Sequence, residues 1–192
     1  QKGTRLRRQV NLNQPSPGPT GTLDDRRPFP GFRNIFQFET SAASSTHAMD
    51  LGLVRRFTQG FGIRADYRLA RSIDDATPIS ILPQNSHDLA SEKGLSDFHV
   101  KHRFLVSGTY NLSDSNGWSR AWLNGWKLQV IGLFQSGTPV SAILGTDVAG
   151  TGSPIVNRPN LVGDSRVPDP TPVRFFNTEA FEAPEFGNFG NS

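Results

Sequence analysis

Apolar and polar side chains alternate along the middle of the chain. From Phe61 to Leu69 every second residue is apolar, whereas Arg64, Asp66 and Arg68 occupy intervening positions. Successive side chains of a β-strand point to opposite faces, so this period of two predicts a strand with one apolar face and one charged face. Such a strand separates an apolar environment from an aqueous one.

The alternation recurs along the chain with local exceptions. Leu105 interrupts one polar face, Ile131 and Leu133 blur another, and Arg8 and Arg55 interrupt apolar faces. The alternating segments have close to the about 9–11 residues that a tilted strand needs to cross a bilayer. Further strands are therefore predicted near residues 5–12, 32–39, 47–57, 103–112 and 125–135.

The predicted connections alternate between short and long. A tight link at Thr58–Gly60 contrasts with long polar segments at 71–101 and 140–190. Long unstructured loops are rare inside a compact soluble domain, whereas a membrane barrel has short periplasmic turns and long extracellular loops. The pattern predicts an all-β, antiparallel up-and-down meander that forms part of a large transmembrane β-barrel. The same pattern predicts that 71–101 and 140–190 are long extracellular loops, and the parity places the 14–31 linker on the periplasmic side.

The two faces predict two environments. Lipid-facing positions are expected to be Phe61, Ile63, Tyr67, Val106, Tyr110, Leu128, Val130 and Phe134. Inward-facing positions are expected to be Arg64, Asp66, Arg68, Arg103, Thr109, Lys127 and Gln129. The aromatic residues at predicted strand ends fit interfacial girdles, namely Phe57, Phe61, Tyr110 and Trp126 at one rim and Phe104 and Phe134 at the other. The alternative is that these rings form the core of a soluble sandwich.

The composition narrows the possible classes. The 192 residues include 19 Gly and 14 Pro, which disfavours a helical bundle, and no Cys, which excludes disulfides and thiolate metal sites. No apolar run approaches the about 18 residues of a transmembrane helix. The net charge of +3 is too small to indicate a nucleic-acid partner, and none is expected. Because no initiator Met precedes Gln1 and both ends fall in mid-pattern, an internal fragment is expected.

Several strings occur in the order known from one family of membrane proteins. They are RRPFPGF at 26–32, RRF at 55–57, RSIDDA at 71–76, EKGLSDFHVKHRFLVSGTYNL at 92–112, GWKLQVIGLFQSGTPV at 125–140, NRPNLVGD at 157–164 and FFNTEAFEAPEFGNFGN at 175–191. On these strings the chain resembles the C-terminal barrel region of TonB-dependent outer-membrane receptors, in particular the Oar-like group. It departs from the family at Ala70-Arg71, at His99 and at Thr46-His47, where Ser-Lys, Asp and Tyr-Asn are usual.

The resemblance implies a location and a role. The intact protein would lie in the outer membrane of a Gram-negative bacterium, in contact with membrane lipid and lipopolysaccharide, and would take up a scarce, bulky solute. Energy would come from the TonB complex through the protein's own plug domain. In the family that plug precedes the barrel, so it is expected to be absent from residues 1–192.

Candidate chemistry is sparse. His99 and His102 are three residues apart, which on a strand places them on opposite faces, and Asp74 and Asp75 lack a converging partner. There is no nucleophile elbow and no phosphate-binding glycine loop. We therefore expect no catalytic, cofactor-binding or metal residue and no enzymatic activity. Lys2, Arg5, Arg7 and Arg8 are interpreted as a solvated strand end, with binding of nucleic acid or of lipopolysaccharide phosphates as the alternative.

Two other functional classes remain open. The first is a structural or adhesive barrel that transports nothing, a role that the Oar-like resemblance also permits. A soluble β-sandwich that binds carbohydrate through Trp118, Trp122 and Trp126 is the second alternative. If the barrel interpretation is right, residues 1–192 expressed alone without detergent should aggregate, because open strand edges and an apolar face would be exposed.

Overall fold

The computed structural model describes residues 1–75, 82–112 and 125–192, and their regular structure is almost entirely β. The strands are β1 (Lys2–Asn11), β2 (Phe36–Thr58), β3 (Phe61–Asp74), β4 (Gly94–Leu95), β5 (His102–Asn111), β6 (Lys127–Gln135), β7 (Asn160–Leu161) and β8 (Phe181–Glu182). Short 3₁₀ turns occupy Asp24–Arg26, Leu89–Glu92, Pro154–Val156 and Thr178–Ala180. Among the described residues, no helix has the length and apolar character needed to cross a membrane.

The main sheet is a meander. Its strand order is β1-β2-β3-β5-β6, and the two-residue β4 pairs with β3, while β7 and β8 form a separate antiparallel pair. Strands that follow one another along the chain are thus neighbours in the sheet. The predicted class, an all-β antiparallel meander that forms part of a barrel, is confirmed.

Strand β2 corrects the predicted division of the chain. Separate strands were expected at 32–39 and 47–57, but β2 is a single strand of 23 residues. The intervening Thr40–Thr46 stretch contains Ser, Thr and Ala, and it lacks the Gly, Pro, Asn and Asp that punctuate strands. At about 3.3 Å per residue β2 measures roughly 73 Å. Even when tilted it exceeds the about 30 Å hydrocarbon core, so part of it extends beyond the bilayer.

Because β2 is continuous, the 14–31 linker lies at the other end of this strand from the one that the sequence predicted. The linker joins β1 to the Phe36 end of β2, which is the end opposite to the Thr58–Gly60 turn. The linker was expected on the same side as this turn, and that expectation is wrong, because one long strand replaces two and reverses the parity. The linker lies at the same end of the sheet as the connection between β3 and β5. Strand β3 itself continues to Asp74, into the 71–101 segment.

The β2–β3 link is a two-residue hairpin. Gln59 and Gly60 both have positive φ, 51° and 78°. Two successive positive φ values are typical of a type I′ turn, whose twist matches that of the flanking strands. The predicted tight link is confirmed.

The chain divides into two compact units. The sheet unit comprises Gln1, 45–73 and 97–139, and the loop unit comprises 2–44, 74–96 and 140–192. Among the described residues, the buried hydrophobic side chains are Val10, Ala42, Ala149, Val156 and Ala180. All of them belong to the loop unit. The described part of the sheet unit buries no large apolar side chain, which is the composition of a wall and not of a self-contained globule.

Candidate functional site

The register of the sheet unit sorts its side chains onto two faces. Strand β3 pairs with β5 so that Arg64 lies opposite Ser107 and Arg68 opposite Arg103, and β5 pairs with β6 so that Thr109 lies opposite Gln129. All residues predicted to face inward therefore share one face. We call it the charged face, defined by Arg64, Asp66, Arg68, Arg103, Ser107, Thr109, Gln129 and Lys127.

Strand β2 adds residues to the charged face. The Arg68 Nε lies 3.3 Å from the Asp50 Oδ1. A Cβ placed on Gly52 would lie 3.3 Å from the Asp66 Oδ1, so this glycine sits beside the Asp66 carboxylate. Asp50 and Gly52 thus extend the charged face by one strand.

The carboxylates of the charged face are already paired. Arg64 holds Asp66 through two hydrogen bonds, from Nε at 2.7 Å and from Nη2 at 3.1 Å. A ladder of charges across neighbouring strands was predicted here. The Arg68–Asp50 pair crosses strands in this way, whereas the Arg64–Asp66 pair runs along β3, because residues two apart share a face.

Two concavities open on the charged face. One, of about 440 Å³, is lined by Asp50, Arg64, Asp66, Arg68 and Arg103 among others. The second, of about 360 Å³, is lined by Val54, Arg55, Arg56, Phe57, Gly62, Ile63, Arg64, Ser107, Thr109 and Lys127. No carboxylate lines the second concavity. Both are shallow surfaces of the wall and not enclosed cavities.

The opposite face is apolar and exposed. Phe61 lies opposite Tyr110, with ring centroids 6.5 Å apart, and Phe104 lies opposite Phe134 at 6.3 Å. The residues predicted to face lipid all fall on this side, so their common face is confirmed. Phe134 leaves 64% of its surface exposed, as a side chain that meets lipid would.

The alternation fails at the end of β2. Phe57 was expected on the apolar face, but a Cβ on Gly62 would meet the Phe57 Cα at 3.1 Å and the Phe57 Cβ at 3.3 Å. Gly62 alternates with Ile63 and belongs to the charged face, so Phe57 lies there too. Arg55 lies instead over the ring of Phe61, 5.1 Å from its centroid. The expected interfacial role of Phe57 is therefore wrong, because the strand changes its alternation beside the hairpin turn.

His99 and His102 form hydrogen bonds with different residues. His99 is buried and accepts a hydrogen bond from the backbone N–H of Ser72 at 3.2 Å. The Nδ1 of His102 forms a hydrogen bond of 2.7 Å with the Tyr67 hydroxyl. His99 precedes β5 and does not lie on a strand with His102. In the part of the chain that the structure describes, no three His, Asp or Glu side chains are grouped to hold a metal ion.

Ion pairing at the start of the chain differs from the expectation of a solvated strand end. Arg8 is 5% exposed, and its Nη2 lies 3.0 Å from the Asp75 Oδ1. The Asp75 carboxylate also accepts the backbone N–H of Ala43 at 2.7 Å. Arg7 lies over the Phe38 ring at 4.0 Å. Arg8 is thus a buried structural cation, because Asp75 compensates its charge.

The loop unit is held by buried amides that the sequence did not indicate. The Asn13 side chain donates to the carbonyls of Phe29, Phe32 and Arg33. The Gln14 amide donates to the Gln84 carbonyl at 2.8 Å. These bonds tie the 14–31 linker to itself and to the segment after β3. Partners about 70 residues apart leave no local signal, so sequence patterns do not reveal them.

A buried ion pair and close glycine contacts complete the loop unit. The Arg158 Nη2 lies 2.9 Å from the Glu92 Oε1, and the Glu92 side chain is 4% exposed. A Cβ on Gly190 would lie 2.6 Å from the Pro159 carbonyl, and one on Gly187 would lie 2.7 Å from Pro19. At the surface of this unit, hydrogen bonds from the Thr22 hydroxyl and backbone lower the pKa of Asp25.

Part of one alternative site lies outside the described residues. Trp118 and Trp122 belong to the 113–124 segment, and Trp126 alone of the proposed carbohydrate-binding set is described, with 65% of its surface exposed.

Comparison with known proteins gives one match. A family model described as an outer membrane beta barrel domain matches residues 1–192, which is the whole chain. No curated protein matches, and no solved structure matches.

Proposed function

Because the chain belongs to the family of outer membrane beta barrel domains and lies in the outer membrane of Gram-negative bacteria, we propose that it forms part of the barrel wall of a TonB-dependent receptor of the Oar-like group. In this role it helps to take up a scarce, bulky solute across the outer membrane. The observation that carries the proposal is the separation of charge across the sheet unit, with Arg64, Arg68 and Lys127 on one face and an exposed apolar surface on the other.

The proposed partners follow from the two faces. The apolar face contacts outer-membrane lipid, and the lipopolysaccharide leaflet surrounds its outer rim. The charged face lines the solute path and contacts the plug domain, through which the TonB complex supplies energy. The wall performs no bond chemistry, so we propose a protein that is not an enzyme. Its strands satisfy backbone polar groups within the sheet, as hydrocarbon requires.

Uptake by the full-length protein tests the transport proposal. Cells that express it are compared with cells in which the segment that reaches TonB is deleted, and with cells whose inner-membrane potential is dissipated. Accumulation of the solute should fall to the background of cells without the gene in both cases. Unchanged accumulation, or a gene that encodes no plug domain, would contradict the proposal.

One observation favours a second candidate, an adhesive or structural role. The loop unit is packed, yet it exposes Val173 at 96% and Phe175 at 56% of their surfaces. An ordered unit that displays apolar side chains suits contact with another surface. Deletion of residues 166–176 from the full-length protein should then abolish cell-to-cell or surface attachment and leave solute uptake unchanged.

A further inference from the structure

The charged face holds more cations than carboxylates, and we propose that its second concavity binds the carboxylate or phosphate groups of an anionic solute. The binding groups are Arg56 and Lys127, assisted by the hydroxyls of Ser107 and Thr109. This inference names the chemical class of the solute and rests on the proposed uptake function.

The first step is the charge balance of the face. Asp66 is held by Arg64 and Asp50 by Arg68, so both carboxylates near the concavities are occupied. Among the described residues, Arg56, Arg103 and Lys127 have no ion-pair partner. Arg103 lines the first concavity, whereas Arg56 and Lys127 both line the second. Two unpaired cations in the second concavity create a positive potential that attracts anions.

The second step is the register between β3 and β5. Arg68 lies directly opposite Arg103. Like charges directly opposite one another destabilise a sheet, and Asp50 compensates only one of these two guanidinium groups. A bound anion that passes along this face would remove the remaining repulsion. Arg68 and Arg103 line the first concavity, and the cations of the second concavity extend this positive surface along the charged face.

The third step is the chemistry of the lining. The lining of the second concavity contains three guanidinium groups, an ammonium group and two hydroxyl donors, and Asp and Glu are absent from it. Of the guanidinium groups, that of Arg64 is held by Asp66 and that of Arg55 lies over the Phe61 ring. Ser107 lies opposite Arg64, and Thr109 lies between Gly62 and Gln129 on the neighbouring strands. Charged donors form shorter and stronger hydrogen bonds to carboxylate and phosphate oxygens than neutral donors do. Donors of both kinds thus line one concavity in which no acidic side chain competes.

The experiment measures binding of citrate and of inorganic phosphate to the full-length protein by titration calorimetry. The protein is held in zwitterionic detergent free of lipopolysaccharide. Wild-type protein should bind citrate with an affinity that falls as salt rises. The double variant R56Q/K127Q should bind about tenfold or more weakly, since two charge-assisted contacts are lost.

A matched control uses the other face of β3. Arg71→Gln removes one positive charge at a position that alternates with the charged face, and citrate affinity should stay within about twofold of wild type. The variant R56K/K127R keeps both charges and should retain binding, which separates charge from folding. Far-UV circular dichroism checks that each variant contains its β-structure.

Three results of the titrations without lipopolysaccharide would overturn the inference. They are the absence of citrate and phosphate binding by wild-type protein, equal losses in R71Q and R56Q/K127Q, and full binding by R56Q/K127Q. If added lipopolysaccharide displaces citrate at equimolar concentration, the site is a headgroup site and the solute assignment is wrong. Because binding is measured without the TonB complex, failed energy-dependent uptake would contradict the proposed function alone.

Discussion

Single residues report the two environments of the sheet unit most directly. Val106 lies opposite both Ala65 and Gly132 on the apolar face, whereas Thr109 lies opposite Gly62 and Gln129 on the charged face. The two positions belong to one strand and differ in the medium that they contact. They therefore allow a comparison in which chain position and strand pairing are nearly constant.

Val106→Arg should destabilise the intact barrel by about 2–4 kcal/mol, because a cation on the lipid face loses its hydration. Thr109→Arg should cost much less. The measurement is the free energy of unfolding in urea after refolding of the full-length protein into lipid vesicles. Equal costs at the two positions would show that Val106 does not face lipid.

The glycines of the loop unit lie where backbones approach closely. Gly187→Ala should destabilise this unit by about 1–3 kcal/mol, because φ is +90° and the new Cβ would meet Pro19 at 2.7 Å. Gly163→Ala is the control, since its Cβ would make an ordinary contact with Ala180 at 3.7 Å. Thermal unfolding of the full-length variants measures both. A smaller cost for Gly187 than for Gly163 would be inconsistent with the packing described.

At the scale of elements, the hairpin turn sets the register of β2 against β3. Gly60→Ala should cost about 1–2 kcal/mol, because a residue with a Cβ resists the left-handed conformation. Gly137→Ala provides a control, since open space surrounds that position and its φ is not in the left-handed region. Urea unfolding of the refolded barrel would show the difference. If the two variants are equally stable, the turn does not require a glycine at position 60.

The buried ion pair links two connections of the loop unit. Arg158→Met should destabilise the protein by about 3–5 kcal/mol, because Glu92 would remain buried without its partner. The double variant Arg158→Met/Glu92→Gln keeps an oxygen acceptor for the Gln84 backbone N–H and should recover most of that loss, and the exposed Arg166→Met should be nearly neutral. Chemical unfolding measures all three. A double variant as unstable as Arg158→Met would exclude the pair as the cause.

The sequence predicts elements well where two media act on one strand. Phe61–Leu69 alternates because one side meets lipid and the other water, so its faces and pairing follow from a local pattern. The Thr40–Thr46 part of β2 was missed because its side chains are small and polar, and no turn-forming residue interrupts them. The Gln14–Gln84 contact was missed because hydrogen bonds between distant amides leave no periodicity. The charged face was predictable, whereas the position of Phe57 depended on a change of alternation beside a turn.

At the scale of the whole molecule, the long connections form a packed unit, and this limits where a protease acts. If they lie outside the cell, trypsin added to intact cells should cut after the exposed Arg166 and Arg174. It should spare Arg8, which is 5% exposed in the same unit, and Arg56 beside the hairpin turn. Mass spectrometry of the released peptides identifies the sites. Cleavage after Arg56 from outside would reverse the topology.

The pairing of β3, β5 and β6 also bears on how such a wall changes over generations. Neighbouring residues of each strand are under different constraints, since one residue contacts lipid and the next faces the interior of the barrel. A substitution at Lys127 or Thr109 alters what the interior attracts and leaves the lipid-facing residues Leu128 and Val130 as they are. Under the proposed function, selection for a new solute and selection for membrane residence act on alternate positions. The proposed solute preference can then change while the protein remains able to assemble in its membrane.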